Sequence, residues 1–393
     1  MNKILKLPLF ILLISYGISY GQNDFRNGYI ITVKNDTLQG QVDYRSNLKN
    51  YESCIFKSEK GITEYYPNQI LGFGYLNDKF FSSQITEGSF VEVLIVGQMS
   101  LYKSKDKYLV KKDSLLIDLH SNIQKIIIDG KMAAVEKSRW RGNLSYLLSD
   151  CLKNSSSLTS NIILKEKNLA KLIIKYNSCK GSEYKEYKAN KPWTKFEFGA
   201  TIGVSKSDIR TANKPAAYSY LSDSYNSIDP SIGVLFAIYA PRIMEKIALQ
   251  GELHYSKSSF SDLVRLDGIR TKFHDTYIKL TRLSIPLSVK YSFPEKKYGF
   301  YIQGGINYDY HLSSETRLLS EEVYGSVVNT YPERTIDIDD NQLGYWAGIG
   351  ILKTYGKFKG SIAIRYIQMP AIIGNSVFTA RRNQISLNLI LFK

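Results

Sequence analysis

The chain has 393 residues, 44% of them hydrophobic and 13% aromatic, with a formal net charge of +16. That length is too great for one small domain and suits two. Beyond the first residues there is no run of about 18 apolar positions, which excludes a helical membrane span and leaves strands as the only route into a bilayer.

The charge suits nucleic acid, anionic lipid headgroups or acidic glycans. No basic and aromatic stripe carries nucleic-acid logic, so nucleic acid is excluded. Outer-membrane lipid and lipopolysaccharide phosphates are the expected partners, beside the plainer reading of a lysine-rich solvated surface.

In chain order, residues 1–21 read as a secretory signal. Lys3 and Lys6 supply positive charge, residues 7–14 form an apolar core, and Ser19-Tyr20-Gly21 places small residues before Gln22. The apolar run is too short for an anchor, and no Cys near the cleavage point suggests a lipid-modified end.

Residues 22–135 read as a β-rich periplasmic domain. Segments 28–33, 38–44, 54–56, 90–96 and 108–111 are rich in Val, Ile, Tyr and Phe and are bounded by turn formers such as Lys34-Asn35-Asp36. Residues 89–119 read as successive hairpins, with Gly97 and Lys105-Asp106 at the turns.

Residues 136–190 change texture. Trp140, Leu144, Leu147, Leu148 and Cys151 recur at helical spacing, as do Leu169, Leu172, Ile173 and Tyr176. Two short helices, the second over 161–175, joined by a loop at Ser155-Ser156-Ser157, would place Cys151 and Cys179 at their outer ends. Export permits disulfides, and these two are the expected pair, adding about 3–4 kcal/mol. Unpaired inert thiols are the alternative. Cys54 sits in a strand as a small hydrophobe. Residues 180–192 read as a polar linker.

From residue 191 to 393 the pattern predicts an eight-stranded antiparallel transmembrane β-barrel, so the fold class is mainly β. The strands are 193–204, 228–239, 247–255, 277–293, 300–310, 343–353, 358–367 and 383–392, each long enough to cross a bilayer when tilted. Short gaps at Ala240-Pro241-Arg242, at Pro294-Glu295-Lys296-Lys297 and at Tyr355-Gly356-Lys357 alternate with long ones at 206–227, 257–275, 312–340 and 370–382. Short turns are periplasmic and long loops extracellular in such barrels. A soluble sandwich or lipocalin-like barrel shows the same alternation. Aromatics near strand ends, such as Phe196, Tyr239, Tyr291, Phe300, Tyr310 and Tyr355, favour interfacial girdles.

Eight strands leave an interior filled by side chains. Glu197, Glu252, Arg282, Lys290, Asp309 and Arg365 point inward with Gln250, Gln303 and Asn388, giving three acids against three bases as a barrel-interior polar network. A conducting pore lined by the same residues is the alternative. Among four histidines, His254 shares the inward face with Glu252 and Ser256, and His274-Asp275 lies at an external strand end. Either mimics a hydrolase or acyltransferase constellation, but no HExxH, GxSxG, Walker or paired-Cys motif is present. No catalytic residue, cofactor or metal is expected.

Three segments carry a family resemblance: KFEFGATIGVS on the first strand, LSIPLSVKYSF on the fourth and GFYIQGGINYDY on the fifth. With these, residues 193–393 resemble the PorT-like outer-membrane β-barrel family. Residues 89–119 and 151–179 also resemble the periplasmic part of uncharacterised two-part proteins carrying such a barrel. The resemblance implies an outer-membrane location and, for some members, a role in protein secretion. There is one departure. Ile385, Leu387, Leu389 and Leu391 keep the outward phase, whereas Phe392 is out of phase and Lys393 follows it, so the standard terminal signal for barrel assembly is altered.

The sequence therefore points first to a non-enzymatic outer-membrane barrel of a Gram-negative envelope, anchoring a periplasmic domain that binds another envelope component. A transport or protein-secretion accessory is the alternative, and a barrel-embedded hydrolase or acyltransferase a third. The oligomeric state is open.

Overall fold

A computed structural model describes residues 24–120, 122–128, 131–137, 139–212, 214–294, 298–369 and 379–393. The expected signal, residues 1–21, lies outside the described residues, as do most of the turn at 294–297 and of the loop at 370–382. The chain divides into two compact units, the second running from Pro192 to Lys393.

The first unit begins with β1 (Phe25–Thr32), β2 (Thr37–Asp43), a single helical turn α1 (Asn47–Asn50), β3 (Cys54–Ser58), β4 (Gly61–Tyr65), β5 (Ile70–Tyr75) and β6 (Phe80–Ser82). It continues through β7 (Val91–Val96), β8 (Met99–Lys103), β9 (Tyr108–Lys112) and β10 (Leu115–Leu119) to a separate hairpin of β11 (Asn122–Ile128) and β12 (Lys131–Lys137). Helices α2 (Arg139–Leu148), α3 (Ser155–Ser160) and α4 (Glu166–Cys179) follow, then β13 (Lys185–Glu186).

Strands β10 to β5 form one continuous antiparallel meander, and β1 to β4 extend it beyond β5. The β-rich segments read from sequence lie on this sheet. Strands β4, β5 and β6, and the β11–β12 hairpin, lie outside them. β4 is an exposed edge with no apolar face to betray it, and Gly72 and Gly74 dilute the strand signal of β5. Gly72 is needed, because a Cβ there would meet the Phe81 carbonyl oxygen at 2.6 Å.

The helices do not form a separate layer of their own. Leu144, Leu148, Leu169 and Ile173 are buried against Leu94, Met99, Leu101 and Val110 of the meander in one core. Burial of each such side chain stabilises by about 1.5–3 kcal/mol. The Ser155–Ser157 run, expected as a loop, forms α3. There Thr159 and Ser160 hydroxyls bond back to the Ser155 and Ser157 carbonyls at 3.0 Å, which serine and threonine do readily in a short turn. Residues 161–165, expected inside a helix, precede α4 instead. Cys151 and Cys179, just after α2 and at the end of α4, are disulfide-bonded across 6.2 Å between Cα atoms. Cys54 is free and buried.

The polar stretch 180–192, expected as a solvated linker, is tied into the sheet up to Lys191. Lys185 and Glu186 pair with Val96 and Ile95, and Tyr187 stacks on Phe80 at 5.4 Å. Lys188 is buried between Glu92 (2.6 Å) and Glu166 (3.0 Å). Composition alone could not reveal this, because lysine reads as solvated unless its buried carboxylate partners, here distant in sequence, are known.

The second unit contains β14 (Lys195–Ala212), β15 (Ser224–Ala240), β16 (Met244–Leu266), β17 (Thr271–Ser292), β18 (Gly299–Tyr324), β19 (Val327–Arg334), β20 (Asn341–Tyr355), β21 (Phe358–Met369) and β22 (Thr379–Phe392). All but β19 close into an eight-stranded antiparallel ring among the described residues, joined by β14–β22 and β17–β18 pairing. Closure removes every sheet edge around the ring.

Three expected loops are largely strand. Residues 257–275 continue β16 and β17 to a turn at 267–270. Residues 312–340 contain the upper part of β18 and its hairpin partner β19, and 206–227 contains the ends of β14 and β15. The reason is a reversal of phase. Lower on β16 and β17 the apolar residues Leu249, Leu253, Leu287 and Val289 face outward; higher up, Phe260 in the expected loop faces inward and is fully buried, as are Ile278 and Leu280 at the upper end of the expected fourth strand. Once the outside is water rather than lipid, the apolar face moves inside, and the alternation that marks the strand breaks.

Candidate functional site: the barrel interior

The alternating side chains of eight strands fill the ring. Glu197, Glu252, Arg282, Lys290, Asp309 and Arg365 are all buried inside it. Only Glu252 and Arg365 of the six pair with each other, Oε2 to Nη1 at 2.7 Å. Glu252 also meets His254 Nε2 at 2.6 Å and accepts from Gln250 Nε2 at 2.7 Å, while Arg365 lies 4.8 Å from the Trp346 ring centre.

The other partners come from residues the sequence reading omitted. Arg282 Nη2 pairs with Asp229 at 3.1 Å, and Asp229 also accepts from Ser207 and from Ser227 (2.6 Å). Asp309 pairs with Arg382 and accepts from Asn307 at 2.7 Å. Asp229 stood in phase with the inward residues of its strand and was legible there. Arg382 had been assigned to a loop. Glu197 is held at one rim by Lys195 (2.9 Å) and Lys359 (2.6 Å). Lys290 makes no direct ion pair among the described residues, although Glu197 and Glu252 act on it from further off; its ammonium lies 4.3 Å from the Tyr301 ring and 4.6 Å from Phe392. Phe392, out of phase in the sequence, therefore turns inward as a cation–π partner.

Apolar clusters bound this polar layer at both ends. Leu235, Tyr301, Leu352, Ala363, Ile390 and Phe392 pack at the short-turn end. Ile209, Leu221, Tyr225, Phe260, Ile278 and Leu280 pack at the other, joined by Ile336 and Ile338. Pairing offsets the cost of burying such charges, while Arg282 Nη1, Arg365 Nε and Nη2 and Arg382 Nε and Nη1 meet no hydrogen-bond partner among the described residues.

The two histidine constellations differ in geometry. His254 contacts Glu252, but Ser256 Oγ turns to Arg282 Nε at 3.4 Å, so acid, base and hydroxyl do not line up. His274 Nδ1 meets Ser320 Oγ at 2.8 Å near the far ends of β17 and β18. Among the described residues no cluster of three or more His, Cys, Asp or Glu could hold a metal ion.

In the first unit a second buried charge cluster surrounds Lys188. Glu166 also meets Lys103 at 3.2 Å, and Asn47 bridges Glu92 (2.8 Å) and Lys79 (2.7 Å). Burial opposes ionisation of Glu166, but Lys188 and Lys103 outweigh it and hold the carboxyl below its ordinary range. Burial likewise opposes the charge on Lys188, and Glu92 and Glu166 outweigh it and raise its pKa.

Residues 183–367 match a family described as an outer membrane protein beta-barrel domain. The second unit is thus an outer-membrane β-barrel, and the chain locates to the outer membrane. Solved structures similar to it include Neisserial surface protein A, at 10% identity, covering 51% of this chain and 98% of that one, with a TM-score of 0.26. The attachment invasion locus protein of Yersinia pestis with a heparin analogue is similar at 9% identity, covering 51% and 99%, with a TM-score of 0.25. The outer membrane protease OmpT from Escherichia coli is similar at 10% identity, covering 50% and 96%, with a TM-score of 0.24. Among curated proteins no match was found.

Proposed function

We propose that this chain is a non-enzymatic outer-membrane protein whose plugged barrel anchors a periplasmic domain, and that this domain binds another envelope or secretion component. The observation that carries the reading is the barrel interior, where charge pairs are layered between two apolar clusters. An interior so filled anchors rather than conducts. The position of Ser256, turned to Arg282 and away from His254, supports a structural role for the inward histidine. Kinship to the PorT-like family is part of this proposal.

The proposed orientation follows from the connections. β15–β16 and β20–β21 are joined by residues 241–243 and 356–357, at the end where β14 begins and β22 stops, whereas β16–β17 and β18–β19 reach furthest at the opposite end. The first is then the periplasmic end. Anionic lipid and lipopolysaccharide remain its expected surface partners.

Planar-bilayer recording of the full chain tests the plug: no stable open-channel current is expected. A stable current would overturn the plug and favour the transport accessory. Protease shaving of intact cells tests the orientation, with a tag after Gly325 cleaved and a tag after Gly356 protected. Cross-linking in cells tests the binding role; a barrel-only chain that captures the same partner as the full chain would defeat it.

A further inference from the structure

On the outer wall of the barrel, β14, β22, β21, β20 and β18 border a groove of about 920 Å³, within the range of about 300–1,000 Å³ usual for ligand sites. Most of its lining belongs to the outward apolar rows, among them Ile302, Ile351, Ile362, Leu389 and Leu391. The dip arises from sequence. In one row towards the short-turn end, Ala200 and Gly360 flank Leu391, and Gly360 pairs on its other side with Lys353. A Cβ on Gly360 would meet nothing within 4 Å, so the groove is open where a side chain would otherwise stand.

One end of the groove is charged. The Lys353 ammonium lies 4.7 Å from the ring centre of Tyr355 and 5.3 Å from that of Tyr298, and both tyrosines line the groove. No carboxylate stands beside Lys353 among the described residues. At the same end of the barrel, Lys393 lies 6.0 Å from the Phe358 ring, and Lys357 follows the turn glycine Gly356. Glu197 points inward and is taken by Lys195 and Lys359, so it does not neutralise this rim.

We propose that the groove is a binding site for one anionic glycerophospholipid, with an acyl chain along the Ile302–Ile351–Ile362–Leu389 wall and the phosphate at Lys353, Tyr298 and Tyr355. The apolar length suits an acyl chain because it continues the belt that faces lipid. The lysine and paired tyrosines sit where the chain ends, at headgroup depth, and an ammonium there complements a phosphate as a point charge. The proposal needs the barrel to lie in a membrane. Only the leaflet assigned to the lipid, the periplasmic one, rests on the proposed orientation.

The test is mass spectrometry of lipids retained by the full chain after purification in mild detergent, with headgroup classes compared against the total membrane extract. Wild type is expected to retain about one anionic glycerophospholipid per chain, enriched over the extract. Gly360→Leu, which fills the dip, and Lys353→Gln, which removes the charge, should each lower retention by about tenfold. Heat-modifiable gel migration establishes that each variant is folded; if Gly360→Leu does not fold, Lys353→Gln decides. Retention of lipid A alone, a retained mixture that mirrors the bulk extract, or unchanged retention in folded variants would each overturn the site. The tags after Gly325 and Gly356 read orientation separately, so a wrong leaflet and a wrong site give different results.

Discussion

Cutting the Asp229–Arg282 pair gives the clearest test of the filled interior. Both side chains are buried, with Nη2 and Oδ2 3.1 Å apart. Arg282→Met keeps most of the aliphatic stem and removes the guanidinium, leaving Asp229, among the described residues, the Ser207 and Ser227 hydroxyls. Removing one partner of a buried pair costs about 3–5 kcal/mol, because the remaining charge is uncompensated. With a urea slope of about 1–3 kcal/mol per molar, the midpoint should fall by at least about 1 M. Asp229→Leu combined with Arg282→Met removes both charges and should recover most of the loss, since apolar replacement of a buried pair is often neutral or better. The assay is urea unfolding of the full chain in liposomes, followed by the heat-modifiable gel shift. A single-variant loss below about 1 kcal/mol would mean that Asp229 is hydrated and the interior open. A double variant no better than the single one would mean that packing around Arg282, and not charge pairing, sets the cost.

Three further outcomes are expected. Serine at both Cys151 and Cys179 should destabilise the first unit by about 3–4 kcal/mol, the closure entropy of a loop separated by 28 positions; thermal melts with and without reductant check it, and equal melts would refute it. Glu166 is an ordinary carboxylate in the unfolded chain, near 4.5, and is held lower when folded by Lys188 and Lys103 against the opposing effect of burial. Its stabilisation is therefore present above that value and lost as pH falls through the folded one. Acid titration of the first unit's unfolding should be flatter in Glu166→Gln, and an unchanged profile would remove Glu166 from the account. Phe392→Ala should cost about 3–5 kcal/mol in barrel stability, whereas Leu391→Phe, on the outward face, should be close to neutral; a reversed order by the gel-shift assay would place Phe392 outside.

What sequence could reveal was set by the solvent each strand meets. Along β22 the row Ile385, Leu387, Leu389 and Leu391 faces lipid while Ser386, Asn388 and Ile390 face inward, so alternation identified the strand. Along the upper part of β16, Ser259 and Ser261 are exposed and Phe260 is buried, and the same criterion reads a loop there. The inward charges followed the same rule. Glu252 and Arg365 lay on strands of regular phase and their inward placement was legible, but which acid met which base depends on stagger around the ring, which the sequence of one strand does not carry. Arg382 was missed because its strand had been cut short, and the burial of Lys188 because Glu92 and Glu166 come to it only through the fold of the first unit.

The charge balance adds a last step. Among the described residues of the barrel's polar layer, Glu197, Asp229, Glu252 and Asp309 stand against Arg282, Lys290, Arg365 and Arg382 and cancel, and beyond that layer Glu322 and Arg242 are buried too, again one of each sign. The interior therefore contributes nothing to the net charge of +16. A surplus excluded from a closed core must be carried by the remaining surfaces, where it acts on neighbours and not on anything passing through. A pore selective for anions would show the opposite distribution, with unpaired cations along its lumen. Lys290, which makes no direct ion pair among the described residues, is covered by two aromatic rings and lies within the field of Glu197 and Glu252. The anionic partners proposed above would therefore meet the outer surfaces of the chain, where Lys353, Lys357 and Lys393 lie.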